Sequence, residues 1–147
     1  MNNKYLRGFD EADAVLRDLP DAVENRVLQK ATRAGGNVWR KLLRAAAPKH
    51  SGKQSPASAQ YGTLVRNIKT AVLRKAKAKG RRGVRVSTGA GFWGMFLEFG
   101  TRFIAARPWF RPTVEASRDE VEAAMAKKTT IELDREVKRL VRKHRVK

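Results

Sequence analysis

Residues 70–88 read Thr70-Ala71-Val72-Leu73-Arg74-Lys75-Ala76-Lys77-Ala78-Lys79-Gly80-Arg81-Arg82-Gly83-Val84-Arg85-Val86-Ser87-Thr88. Thr70–Arg74 is apolar and partly β-branched, and Val84–Thr88 alternates apolar with polar, so both halves read as strands. Lys75–Gly83 between them combines glycine with like charges, the composition of a turn. The stretch therefore predicts an antiparallel hairpin whose tip holds Lys77, Lys79, Arg81 and Arg82 in solvent. Cations there either keep a strand edge from aggregating or touch a polyanion.

Outside this stretch the periodicity is helical. Phe9, Ala12, Val15, Leu16 and Leu19 form one stripe, with Asp10, Glu11 and Asp13 placed where a first turn favours acids. Pro20 breaks that helix or opens the next. Val23, Val27, Ala31, Ala34, Val38, Leu42 and Ala45 make a second stripe over 21–47, widened by Trp39 and Leu43, with Arg33, Arg40 and Arg44 on the wetter side. Gly35-Gly36 in its middle costs about 1 kcal/mol per glycine, which a close helix contact or a kink would explain. Pro48 ends the helix.

His50–Thr63 is polar, small and aperiodic, so it reads as a flexible loop or one ordered by a partner. Trp93, Phe96 and Leu97 are spaced as one helical face, and Gly100 follows as a left-handed cap, so 92–99 is expected to be a short buried helix. Pro112 suits the first turn of a last long helix. Val114, Val121, Met125, Leu133, Val137, Leu140 and Val141 are its apolar positions, and Thr129-Thr130 is a plausible break. The expected class is α+β: a small antiparallel sheet with a protruding hairpin, packed against a long N-terminal helix and a C-terminal helix. One domain over 1–147 is expected: helices over 8–47, the loop at 50–63, hairpin, sheet and short helix over 64–111, and a helical segment over 112–147.

The chain has 147 residues and a formal net charge of +19, enough for a single core but not for two. The charge is concentrated. Residues 25–114 hold 20 Lys/Arg and one acid, Glu98, whereas the two ends carry 13 bases and 13 acids. Such a block calls for counter-charge from nucleic acid, an acidic protein surface or salt. No stretch reaches the roughly 18 apolar residues of a membrane span, and Met1–Arg7 lacks the apolar core of a secretory signal.

Chemistry-bearing constellations are absent from the sequence. There is no cysteine, which excludes disulfides, thiolate metal sites and a cysteine nucleophile. His50 and His144 are distant, and no cluster has ligand spacing. No cofactor, metal or catalytic residue is expected. Gly89-Ala90-Gly91-Phe92-Trp93-Gly94 matches a dinucleotide pattern literally, but no βαβ unit surrounds it and two aromatics fill the turn. The glycines are read instead as a sharp strand-to-helix turn. Glu98, among Phe96, Leu97 and Phe99, is expected to be partly buried and paired with Arg107 or Arg111.

Phe96-Leu97-Glu98-Phe99-Gly100-Thr101, then Ala106-Arg107-Pro108-Trp109-Phe110-Arg111-Pro112, then Val114-Glu115-Ala116, resembles the signature of a tailed-phage tail-component family. This is the head–tail joining or tail-completion group, to which minor tail protein Z-like sequences are related. Gly8-Phe9-Asp10, Ala47-Pro48-Lys49-His50-Ser51-Gly52 and Leu64-Val65-Arg66-Asn67-Ile68 resemble other stretches of the family, so the likeness spans about 8–125. Lys53–Tyr61 departs from it as an insertion, and the hairpin tip is more basic than usual.

The resemblance implies a structural protein of the phage neck, made in the host cytoplasm and carried in the virion. It implies a ring, commonly six-fold, of its own subunits, docked on a head connector and on tail tube or terminator proteins, with DNA passing through the lumen and no membrane contact. It implies a structural motif of Phe96, Glu98, Phe99, Gly100, Arg107, Pro108, Phe110, Arg111 and Pro112. The competing reading is a basic nucleic-acid-binding protein, although no helix-turn-helix, zinc-finger or RNA-recognition signature is present.

Overall fold

The computed structural model describes residues 4–49, 62–73 and 83–145, with side chains from residue 12 onward. The tip cations Lys77, Lys79, Arg81 and Arg82, His50, and residues 50–61 of the expected loop lie outside the described residues. The architecture is α+β. Helix α1 spans Lys4–Ala22, a wide π turn Val23–Val27, and α2 Leu28–Ala46. Then come α3 (Leu64–Asn67), β1 (Lys69–Val72), β2 (Val84–Ser87), α4 (Trp93–Phe99), α5 (Phe110–Ala116) and α6 (Arg118–Arg145).

The N-terminal arm corrects the sequence expectation. Pro20 lies inside α1 and does not end it. Helix α1 also starts by Lys4, so Asp10, Glu11 and Asp13 are not in its first turn. Proline removes one backbone donor and crowds the preceding turn; three residues later the helix widens, and Leu28 N–H bonds to Val23 O, five residues back. The wide turn shifts the register, and Val27 and Ala31 then face inward. Leu16, read as part of the buried stripe, is 65% exposed.

Helix α6 runs back along this arm, antiparallel to it. As the arm advances through Asp18, Arg26, Lys30 and Gly35, the residues it meets retreat through Lys143, Glu136, Glu132 and Met125. Val27, Ala31, Val121 and Leu140 are the buried apolar residues of this seam. Two carboxylates, Glu132 and Glu136, share it. Leu133 and Val141, expected to point inward, face solvent instead. The 129–130 break does not occur: α6 is continuous there, and the hydroxyls of Thr129 and Thr130 bond back to Met125 O and Ala126 O, one turn earlier. The interruption falls at Ser117, between α5 and α6.

Gly35 and Gly36 are close-contact glycines. A Cβ on Gly35 would lie 2.7 Å from Met125 Cγ, and one on Gly36 would lie 2.7 Å from Val84 Cγ1. The pair thus lets α2 touch α6 and the sheet at one level. β1 and β2 pair antiparallel with Thr70 opposite Val86 and Val72 opposite Val84. A further bond from Leu73 N–H to Gly83 O extends the hairpin toward its tip. The main core gathers Leu43, Ala47, Leu64, Ile68 and Trp109, flanked by Trp39, Val86, Trp93 and Leu97. Arg44, expected on the wet side, is half-buried and donates through Nε and Nη2 to Ile68 O at 3.2 and 2.9 Å. It ties the end of α2 to the start of the sheet.

Candidate assembly interface

Of the expected motif, Phe110 and Arg111 meet at one carboxylate, that of Glu98. Helix α5 begins at Phe110 with Trp109 as its cap residue, and Trp109 has no side-chain acceptor to offer the helix. A helix start leaves about four backbone N–H groups without partners. Here three of them, from Trp109, Phe110 and Arg111, donate to Glu98 at 2.7, 2.8 and 3.0 Å. The fourth position is Pro112, which has no N–H. Glu98 and Pro112 together therefore account for the whole N-terminus of α5.

Glu98 is 6% exposed. Burial pushes its carboxyl up, but the amides of Phe110, Trp109 and Arg111, with the charge of Arg111, outweigh it and hold the group below the usual carboxylate range. Of the two arginines expected as partners, Arg111 is the one present, at 3.9 Å, and its guanidinium also lies over the Phe99 ring. Arg107 does not pair with Glu98. Its backbone N–H donates to Leu97 O at 2.8 Å, closing the end of α4, and its side chain is exposed. The carboxylate's main partners are thus backbone amides, a role that residue type alone does not reveal.

Gly100 has the positive φ expected of it, +75°, but its ψ of 176° is extended and not that of a left-handed helical cap. A Cβ there would sit 2.8 Å from Ala106 N and 2.9 Å from Ile104 O. Only glycine admits the tight return of 101–106. Thr101 fixes that return: its N–H bonds to Ile104 O, and its hydroxyl accepts from Phe103 N and Ile104 N.

The expectation of a buried α4 is half right. Trp93 and Leu97 join the core, and Gly94 is buried under Leu64 and Trp109. The opposite face carries Met95, Phe96 and Phe99, which are 60%, 44% and 62% exposed. Phe103, in the following turn, is 90% exposed, and Ile104 is 44% exposed. A helix apolar on both faces cannot bury both in one small core. That pattern was the available signal for this surface. Beside it an apolar groove of about 330 Å³ runs between the end of β2 and α4, lined by Val86, Met95, Phe99, Trp109 and Phe110, with Arg111 at its edge.

Gly91 N–H and Gly94 N–H are already bonded to Thr88 O and Gly91 O, so the literal dinucleotide pattern offers no free amides at these positions. Among the described residues no group of His, Asp or Glu could hold a metal ion. His144 lies 3.1 Å from Asp18, as does Lys143 at 2.6 Å.

The other missed charges lie in the helical seam. Glu132 is 1% exposed and meets three cations, Lys30 at 2.6 Å, Lys128 at 2.8 Å and Arg135 at 2.9 Å. Hydrogen bonds from Lys128 and Lys30 outweigh burial and draw its pKa from 4.5 to about 2. Glu136 meets Arg26 and Arg139, at 3.2 and 3.1 Å. Part of the counter-charge for the basic block is thus supplied within the chain.

Residues 10–100 match the family model described as "Bacteriophage HK97-gp10, putative tail-component". The chain belongs to this family of tailed-phage tail components. No curated protein and no solved structure matches it. Among the described residues no helix is long and apolar enough to cross a membrane.

Proposed function

We propose that this tail component is a structural protein of the virion neck, a ring-forming tail-completion or head–tail joining subunit that works by assembly and not by catalysis. The observation that carries this reading is the outward face of Met95, Phe96, Phe99, Phe103 and Ile104. An apolar surface of that kind marks a protein contact. The helical part of this face is tied to α5 by the Glu98 clamp, and its turn is held by Thr101. A closed ring uses two different faces of each subunit, and the uneven distribution of charge along the chain suits such neighbour recognition.

In this reading the partners are copies of the same chain, commonly six, with the head connector on one side and tail tube or terminator proteins on the other. DNA passes through the lumen, toward which a basic hairpin tip is suited. The experiment is direct: purified particles carrying a tagged copy are imaged and the tag located. Density at the head–tail junction is the expected result, and absence of the chain from mature particles overturns it. Turnover of a small molecule, abolished by one pocket substitution, would equally remove the non-catalytic assignment.

A further inference from the structure

We propose that the face of Met95, Phe96, Phe99, Phe103 and Ile104 docks onto the acidic stretch Glu115–Glu122 of a second copy of this chain; the proposal rests on the subunit-assembly reading above.

Size is the first argument. At about 200 Å² for a large side chain, these five residues, 44–90% exposed, leave roughly 600 Å² of apolar surface. That reaches the upper end of what monomers carry, about 300–600 Å², and approaches the ~800 Å² per partner of a standard interface.

Charge identifies the occupant. Arg102 and Arg107 flank the return that carries Phe103 and Ile104; both are exposed and meet no carboxylate of their own chain among the described residues. Arg102 only lies against Phe103, at 5.8 Å from the ring centre. Arg111 is already committed to Glu98 and Phe99. The face therefore needs a partner that brings carboxylates around a surface open enough to accept a phenyl ring.

This chain has such a surface. Asp13, Asp18, Glu132, Asp134 and Glu136 are all ion-paired internally, and Asp21, though exposed, shares one hollow with Arg26, Arg139 and Lys143. Glu115, Asp119, Glu120 and Glu122 are exposed, and none pairs with a cation among the described residues. Exposed Ala116 and Ala123 lie among them and leave room for large side chains. A guanidinium meets a carboxylate in a two-pronged, directional bond, so Arg102 and Arg107 would fix the register of the contact.

The same charges decide against a face-to-face pair. Two copies meeting patch to patch would bring Arg102 and Arg107 against their own equivalents, and like charges across an interface cost several kcal/mol. Patch to acidic helix is a head-to-tail contact, the kind that repeats around a ring.

The chain contains no cysteine, which makes paired-cysteine cross-linking clean. Phe103→Cys with Ala123→Cys, both at exposed positions, is incorporated into particles and oxidised. A ladder of multimers of this chain on a non-reducing gel is expected, and neither single variant gives one. In parallel, Arg102→Glu with Arg107→Glu should lower incorporation into particles at least tenfold, with helical content unchanged. Adding Asp119→Lys and Glu122→Lys to the same chain should restore it.

The proposal is overturned if the double-cysteine chain enters particles without a ladder, or links only to another virion protein. It is overturned too if Phe103→Cys alone links to itself, or if the arginine variant assembles normally. Absence of the unmodified, tagged chain from particles is scored beforehand; that result removes the underlying reading, and this proposal with it.

Discussion

Glu98 Oε2 lies 2.7 Å from the amide nitrogen of Trp109, eleven residues further along the chain. That contact makes the last turn of α4 the cap of α5. Two short helices, each of 7 residues, are thereby joined into one rigid corner. Isolated helices of that length are marginal in water, so the corner depends on this carboxylate.

Glu98→Ala should therefore destabilise the protein, by about 1–3 kcal/mol for each amide that stays buried without an acceptor. Glu98→Gln keeps an acceptor but loses the charge, and should cost less. Urea denaturation of the three proteins at neutral pH checks the order. Equal stability of wild type and Glu98→Ala would show that the clamp is not structural.

Gly36→Leu tests the contact between α2 and the sheet. Removing a helix glycine should stabilise by up to about 1 kcal/mol. The new side chain, however, would start 2.7 Å from Val84 Cγ1, and overpacking typically costs about 1–3 kcal/mol. A net loss is expected, with Val84 moved off α2; a rise in Tm would mean that the sheet yields freely.

The Glu132 cluster sets an acid limb. Its folded pKa, about 2, lies below the ordinary 4.5. A depressed carboxylate contributes stability above its unfolded pKa and loses that contribution as pH falls through the folded one. Wild type should thus lose stability between about pH 4.5 and 2. Glu132→Gln should start lower at neutral pH and fall less steeply across that window. Thermal melts at half-unit pH steps decide it, and parallel curves would contradict the assignment.

The far end of the seam is held by Asp18, drawn below its ordinary range by hydrogen bonds from Lys143 and His144. Asp18→Asn should speed amide exchange in 140–145 and leave exchange at Ile68 unchanged, because Ile68 belongs to the other core. Exchange accelerated throughout would show that the two packing regions are coupled.

The basic tip is tested from sequence. Arg81→Glu with Arg82→Glu, positions that the sequence predicts to lie in solvent, should leave folding within about ±0.5 kcal/mol. A tip that contacts a partner would make the variant poor in head–tail joining. Normal particle yield would remove it from the interface.

Strand alternation and helical stripes, read locally, determined by themselves the α+β class, the hairpin and the long helices, and the apolar neighbours of Glu98 pointed to a partly buried carboxylate with Arg107 or Arg111 as its partner. The clustering of charge was equally legible, because it is arithmetic. Only the tertiary structure decided that Glu98 caps α5, since backbone amides leave no mark on residue type. It alone decided that α1 passes through Pro20, that Glu132 and Glu136 enter a seam lined by Lys30 and Arg26, and which face of α4 stays in water. The physical reason is common to all four. Periodicity says that a side chain needs a partner, but the partner is chosen by elements that meet in space across eleven to more than a hundred residues of chain.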